Sequence, residues 1–133
     1  MSPPDSRTQL LLDEAINAAT QAYAPYSNYH VGSALITADD HLVTGCNVEN
    51  ASYGLSMCAE RNAIFRAVAE FGKDVRPLVL AVLRENAIPI SPCGACRQVM
   101  MEFNPDMTVV YRSSDGIEQH TVRELLPNAF VIR

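Results

Sequence analysis

Pro77-Leu78-Val79-Leu80-Ala81-Val82-Leu83 is an apolar run with no polar residue to mark a solvent side. A strand with one wet face alternates apolar and polar positions, whereas an uninterrupted run is what a central strand shows when both faces of its sheet are covered. Working outward, residues 85–91 read as a crossing loop, and residues 93–103 carry apolar positions at helical spacing in a helix that must stop before Pro105. Upstream, Cys58 opens Ala59-Glu60-Arg61-Asn62-Ala63-Ile64-Phe65-Arg66-Ala67-Val68, a helix that ends near Gly72.

Farther out, Leu11, Ala15, Ala18, Ala19 and Ala22 recur at helical spacing and predict a first helix over residues 6–23, ended by Pro25. Residues 31–37 and 41–48 read as two strands of a hairpin turned by Asp39-Asp40. Residues 50–57 are polar and irregular, the kind of loop that delivers a helix start and touches a ligand or partner. Residues 107–112 read as a fourth strand, Ser113-Ser114-Asp115-Gly116 as a turn and residues 117–120 as an antiparallel partner. Thr121-Val122-Arg123-Glu124 has the capping-box pattern of a last short helix, closed by Pro127. Nothing orders residues 1–5. Helices alternating with a mixed sheet imply helical layers on both of its faces, an α/β architecture. No repeat or linker divides residues 1–133, which read as a single domain.

Composition bounds the function. Hydrophobic residues make up 48% of the chain, which argues against disorder. Ten Lys and Arg against fifteen Asp and Glu leave a net charge of -5 with no basic cluster, so a nucleic-acid partner is not expected. No apolar stretch approaches a membrane span and the N-terminus lacks a charged-then-apolar signal pattern, so no membrane association is expected. Four cysteines, three of them with another use, fit a reducing cytoplasm.

That other use lies at the two inner helix starts. Ser56-Met57-Cys58-Ala59-Glu60-Arg61 and Pro92-Cys93-Gly94-Ala95-Cys96 offer three thiols and a carboxylate. Helix N-termini favour the thiolate, the form that binds metal. The spacing of Cys93 and Cys96 brings both sulfurs to one side of a first turn. A structural zinc closes all four of its positions with Cys or His, whereas a catalytic zinc keeps one for water, and three cysteines suit the open kind. Glu60, two residues past Cys58, can approach such a water without being a ligand and so serve as a proton shuttle. Two other classes draw on the same residues. A dithiol redox protein would use Cys93 and Cys96 but leave Cys58 and Glu60 idle, and stoichiometric metal would exclude it. A structural zinc module would need a fourth ligand from Cys46 or a His. Cys46 reads as a small buried apolar residue, and His30, His41 and His120 have no ligand spacing between them.

Cys58-Ala59-Glu60 with Pro92-Cys93-Gly94-Ala95-Cys96 resembles the motif of the zinc nucleoside and nucleobase deaminases, in which a Glu that is not a ligand carries protons. Within that superfamily the chain resembles the small homotetrameric cytidine deaminases. Tyr23-Ala24-Pro25-Tyr26-Ser27, Gly45-Cys46-Asn47-Val48-Glu49-Asn50-Ala51-Ser52-Tyr53 and Glu124-Leu125-Leu126-Pro127-Asn128-Ala129-Phe130 fall in that family's order around the zinc motifs, over residues 10–130. The resemblance implies a three-layer α/β/α sandwich on a five-stranded mixed sheet. It implies one Zn²⁺ per subunit on Cys58, Cys93 and Cys96, and a hydrolase that converts cytidine and 2′-deoxycytidine to uridine and 2′-deoxyuridine, releasing ammonia, in pyrimidine salvage. Glu60 would take a proton from water, pass it to N3 as C4 is attacked, and later give it to the leaving amine.

Further roles follow from the same resemblance. Arg61 would hydrogen-bond the ligand sulfurs, offsetting the excess charge of three thiolates. Asn47 and Glu49, at alternate positions of a strand, would hold ribose hydroxyls. Tyr29, at a place where the family usually shows Phe, would stack on the pyrimidine. Backbone groups around Ala59 and the Cys93 loop would accept from the exocyclic amine. Ala51, Tyr53 and Phe130 match positions that reach into a neighbouring subunit's site. An enzyme of the same fold acting on a modified cytidine, a blasticidin-type nucleoside or a base within RNA would carry the same motifs; Asn47, Glu49 and the acidic balance favour a free nucleoside.

Overall fold

The computed structural model describes residues 4–132. Its elements, in chain order, are α1 (Ser6–Ala19), β1 (Val31–Thr37), β2 (Leu42–Cys46), α2 (Ala59–Phe71), β3 (Pro77–Arg84), α3 (Gly94–Phe103), β4 (Thr108–Ser113), β5 (Gly116–Thr121) and α4 (Val122–Leu125). Short 3₁₀ turns occupy Tyr53–Leu55 and Glu85–Ala87. The strands form one sheet in the order β2-β1-β3-β4-β5. β1 runs antiparallel to β2 and β3, β3 parallel to β4, and β4 antiparallel to β5. The sheet is therefore mixed, and its one parallel pair is joined through α3, the kind of crossover that parallel strands require.

Alternation along the strands assigns the faces. Leu35, Leu80, Val82, Val109 and Tyr111 pack with Ala63, Ile64 and Ala67 of α2 and Met100 of α3. Ala34, Ile36, Val79, Ala81, Leu83 and Val110 pack with Leu11, Leu12 and Ala15 of α1. β3 is thus covered on both sides, and Leu80, Ala81 and Val82 are fully buried, as its unbroken apolar run predicts. Two glycines let the layers meet at the level of backbone. A Cβ on Gly32 would lie 1.8 Å from the Ala15 carbonyl oxygen of α1, and one on Gly45 would lie 2.5 Å from Ala63 N and 2.6 Å from Ala59 O of α2. The second contact seats the start of α2, with its cysteine and glutamate, against the edge strand.

Some boundaries differ from the sequence expectations. α1 ends at Ala19 instead of running to residue 23, because the chain tightens through Thr20 and Tyr23 N then donates to Asn47 O at 3.0 Å. β2 stops at Cys46, not at residue 48. Val48 leaves the ladder and exchanges two backbone hydrogen bonds with Met57, at 3.0 and 2.9 Å. Asp5, expected to lack order, caps α1 by accepting from Thr8 N at 2.7 Å; residues 1–3 lie outside the described residues. Cys46 is half-buried and not a core residue. The capping box is present, with Thr121 and Glu124 each bonding the other's backbone N–H.

Candidate metal centre

Cys58 and Cys93 are the N-caps of α2 and α3, each in extended backbone just before the first turn. Both helices pack on the same face of the sheet, so their starts converge. Cys58 Sγ and Cys93 Sγ stand 3.8 Å apart, and the sulfurs of Cys58, Cys93 and Cys96 all lie within 4.8 Å of one another. Two thiolates bound at about 2.3 Å to a tetrahedral zinc sit about 3.8 Å apart. The cluster therefore has the spacing and donor chemistry of a zinc site. Cys93 is exposed, Cys58 half-buried and Cys96 buried. Among the described residues no further Cys, His, Asp or Glu joins the cluster, so the set holds three protein ligands and leaves the fourth position open, unlike a structural zinc module.

The charges around the cluster are ordered. The Cys58 thiol is pushed down to about 5, chiefly by a hydrogen bond from the Cys96 thiol, with Arg61 and Cys93 adding to it. Cys96 moves the other way, because its proton is held by Cys58 and it is buried. Arg61 Nη2 donates to Cys58 Sγ at 3.5 Å, and this contact holds the guanidinium firmly charged. Glu60, in the first turn of α2, is only 3% exposed. Burial pushes its carboxyl up to about 7, and the charge on Cys58 pushes the same way.

Asn47 and Glu49 lie beyond the end of β2, which corrects their reading as alternate strand positions. Asn47 Oδ1 accepts from Val31 N at 2.9 Å and its Nδ2 donates to Tyr29 O at 2.7 Å. The Glu49 carboxylate accepts from Tyr26 N at 2.9 Å, from Ser27 N at 3.1 Å and from the Ser27 hydroxyl. Ser27 thereby holds it below the usual carboxylate range. Glu49 lines a cavity of about 300 Å³ together with Tyr26, Ser27, Tyr53 and Ser56. Tyr29 is half-exposed, with the Arg84 guanidinium over its ring. Ala59 is fully buried at the start of α2. Ala51, Tyr53 and Phe130 stand at the surface. Of these three, only Tyr53 lines the cavity that holds Glu49.

Two residues that hold the site in place were not singled out by sequence reasoning. Arg97 donates to Pro92 O at 2.7 Å, Ser91 Oγ at 2.7 Å and Leu125 O at 2.8 Å, tying the Cys93 loop to α4. Asn62 Nδ2 donates to Cys46 O at 2.8 Å, tying α2 to β2. Arg97 directly follows a ligand cysteine, which is the one signal it offers. Its partner Leu125 is 28 residues away and has no local mark.

Residues 5–112 match the family model described as the cytidine and deoxycytidylate deaminase zinc-binding region. The chain is 49% identical over 124 residues to the cytidine deaminase of Halalkalibacterium halodurans, covering 92% of each. It is 40% identical over 119 residues to the probable cytidine deaminase of Dictyostelium discoideum, covering 90% of this chain and 80% of that one. Among solved structures, the cytidine deaminase from Burkholderia pseudomallei superposes with a TM-score of 0.85 at 47% identity, covering 92% of this chain and 98% of that one. The cytidine deaminase from Mycobacterium tuberculosis superposes with a TM-score of 0.85 at 36% identity, covering 96% of this chain and 100% of that one.

Proposed function

The chain belongs to the cytidine and deoxycytidylate deaminase family and is a hydrolase that deaminates cytidine with zinc, and on that premise we propose that Glu60 is its proton carrier and that 2′-deoxycytidine is a second substrate. The observation that carries this reading is the meeting of three sulfurs within 4.8 Å beside a buried carboxyl pushed up to about 7. When bound by Cys58, Cys93 and Cys96, one zinc ion supplies the Lewis acidity that makes water acidic near neutral pH. Glu60 takes one proton from the attacking water and delivers it to N3 as the new C4–O bond forms; it then takes the second proton from the C4 hydroxyl and gives it to the amine, so that the C4–N bond breaks to release ammonia as the C4 carbonyl forms. A group that must both accept and return a proton works best with a pKa near the operating pH. Arg61 offsets the charge of three thiolates, two of which already neutralise a divalent ion.

Asn47 and Glu49 hold ribose hydroxyls while also holding the loop. An amide offers two donors and two acceptor sites and a carboxylate about four acceptor sites, so the loop leaves each with capacity. Tyr29 stacks on the pyrimidine, and the backbone around Ala59 and the Cys93 loop receives the exocyclic amine. The enzyme assembles as a homotetramer in which Ala51, Tyr53 and Phe130 complete a neighbour's site. Consistent with this, Tyr53, Leu55, Phe130 and Ile132 are between 69 and 87% exposed in the single chain, which leaves them available to a neighbouring copy. The chain acts as one catalytic domain over residues 1–133, in the cytoplasm, in pyrimidine salvage, with no nucleic-acid partner; no helix among the described residues is long and apolar enough to cross a membrane.

A modified cytidine or a blasticidin-type nucleoside is the less favoured substrate, since the relatives that share 40 and 49% of its sequence are called cytidine deaminases. A panel of cytosine, cytidine, deoxycytidine, CMP and N4-substituted cytidines, followed by ultraviolet absorbance, tests the assignment. Cytidine and deoxycytidine are expected to turn over fastest; a preference for an N4-substituted nucleoside or the free base would overturn it.

A further inference from the structure

We infer that Arg84 is a positioning residue for substrate binding, because its guanidinium lies over the Tyr29 ring, 3.7 Å from the centroid, where it fixes the plane of the ring and covers one of its two faces. The inference rests on the proposed role of Tyr29 as the ring that stacks on the base; Arg84 then leaves one face of that ring for the pyrimidine. The sheet register supports the placement. Arg84 pairs with Val31 across the antiparallel β1–β3 ladder, and directly opposed residues project to the same face. Val31 belongs to the cluster beneath α2 and α3, so Arg84 leaves the sheet on the cysteine-bearing side, at the end of β3 where the crossover toward Cys93 begins.

The backbone around Tyr29 is already tied. Its N–H donates to Ser27 Oγ at 3.0 Å and its carbonyl accepts from Asn47 Nδ2 at 2.7 Å. The next residue is bound twice to Glu85, through Glu85 N to His30 O at 3.0 Å and His30 Nδ1 to Glu85 Oε1 at 2.7 Å. What stays free is the half-exposed ring, 53% accessible. Among the described residues Tyr29 meets no other aromatic ring, and the Arg84 guanidinium is the planar group that lies over it. Arg84 for its part pairs with no carboxylate among the described residues, since the adjacent Glu85 is engaged by His30. Its Nε is buried without a hydrogen-bond partner. A planar cation with no acid to bind is best satisfied on the face of an aromatic ring.

The test uses zinc-loaded enzyme and the variants Arg84→Met, which keeps the aliphatic stem, Arg84→Lys, Tyr29→Leu, and the pair Arg84→Met with Tyr29→Leu, with thermal midpoint and zinc content as controls. Arg84→Met should raise KM for cytidine and Kd for uridine about two- to tenfold, the range a cation over an aromatic face supplies. Its kcat should stay within about twofold, as loss of uniform binding requires, and Arg84→Lys should recover part of the loss. In the Tyr29→Leu background the Arg84→Met effect should vanish, because the two residues act as one unit. If Tyr29→Leu raises KM while Arg84→Met does not, or if the two effects simply add, the inference falls and the stacking role of Tyr29 stands. If Tyr29→Leu leaves KM unchanged, the stacking role falls and takes the inference with it. Should Arg84→Met fail to fold, Arg84→Gln replaces it with the same expectations.

Discussion

Above neutral pH, an ionised Glu60 costs the metal-free fold stability. A carboxyl only 3% exposed is costly to ionise, and burial pushes its pKa from the ordinary 4.5 up to about 7. The sign of the pH dependence follows. A folded-state value above the unfolded one gives a contribution fully present below 4.5, where both states hold the proton, and lost as pH rises through about 7. In metal-free protein Glu60→Gln, which removes the titration, should therefore raise stability at about pH 8 by up to about 3 kcal/mol and much less at about pH 5. Denaturant unfolding at the two pH values measures the difference, and an effect independent of pH would contradict it. A carboxyl perturbed in this way beside three sulfurs is the environment that the proposed proton-carrying role of Glu60 calls for. The meeting of Cys58, Cys93 and Cys96 was legible because metal chemistry demands those residue types at short, local spacing. The placement of Asn47 and Glu49 was not legible, because the bonds that draw them out of β2 and onto residues 26–31 come from earlier in the chain.

At the scale of elements, the site depends on how α2 and α3 are seated. Gly45 is the tightest point of contact with α2, where an added Cβ would lie 2.5 Å from Ala63 N and 2.6 Å from Ala59 O. Backbone atoms cannot move aside as a side chain does, so the start of α2 would shift and carry Cys58 and Glu60 with it. Gly45→Ala should cost about 1–3 kcal/mol, the usual range for overpacking, and should weaken zinc retention against a chelator. Gly94, at the start of α3, meets nothing within 4 Å and is not at positive φ. Gly94→Ala should keep the thermal midpoint or raise it, as helix propensity favours alanine. Equal tolerance at the two sites would contradict this account of the packing. The elements themselves were legible where periodicity is long or turn chemistry is specific, as in β3, the β4–β5 hairpin and the Thr121–Glu124 cap. The ends of α1 and β2 were not, since partners distant in sequence set them: Asn47 for Tyr23, and Met57 for Val48.

At the scale of the whole molecule, the exposed Tyr53, Leu55, Phe130 and Ile132 form surface that the single chain does not cover. Sedimentation should give a particle of four times the 14.6 kDa chain, and Phe130→Asp should shift it toward smaller species with loss of activity. A fully active monomer would contradict the shared-site assembly. Nothing in spacing or periodicity announces the proposed assembly; it rests on family resemblance, because an interface between copies leaves no local pattern in one chain. The account as a whole turns on three sulfurs holding zinc while a separate carboxyl moves the proton. The direct measurement is zinc content and cytidine turnover of Glu60→Gln side by side with the unaltered enzyme. One zinc per chain with kcat lower by roughly two to four orders of magnitude is the predicted result; turnover near that of the unaltered enzyme, or loss of the zinc with the carboxyl, would contradict it.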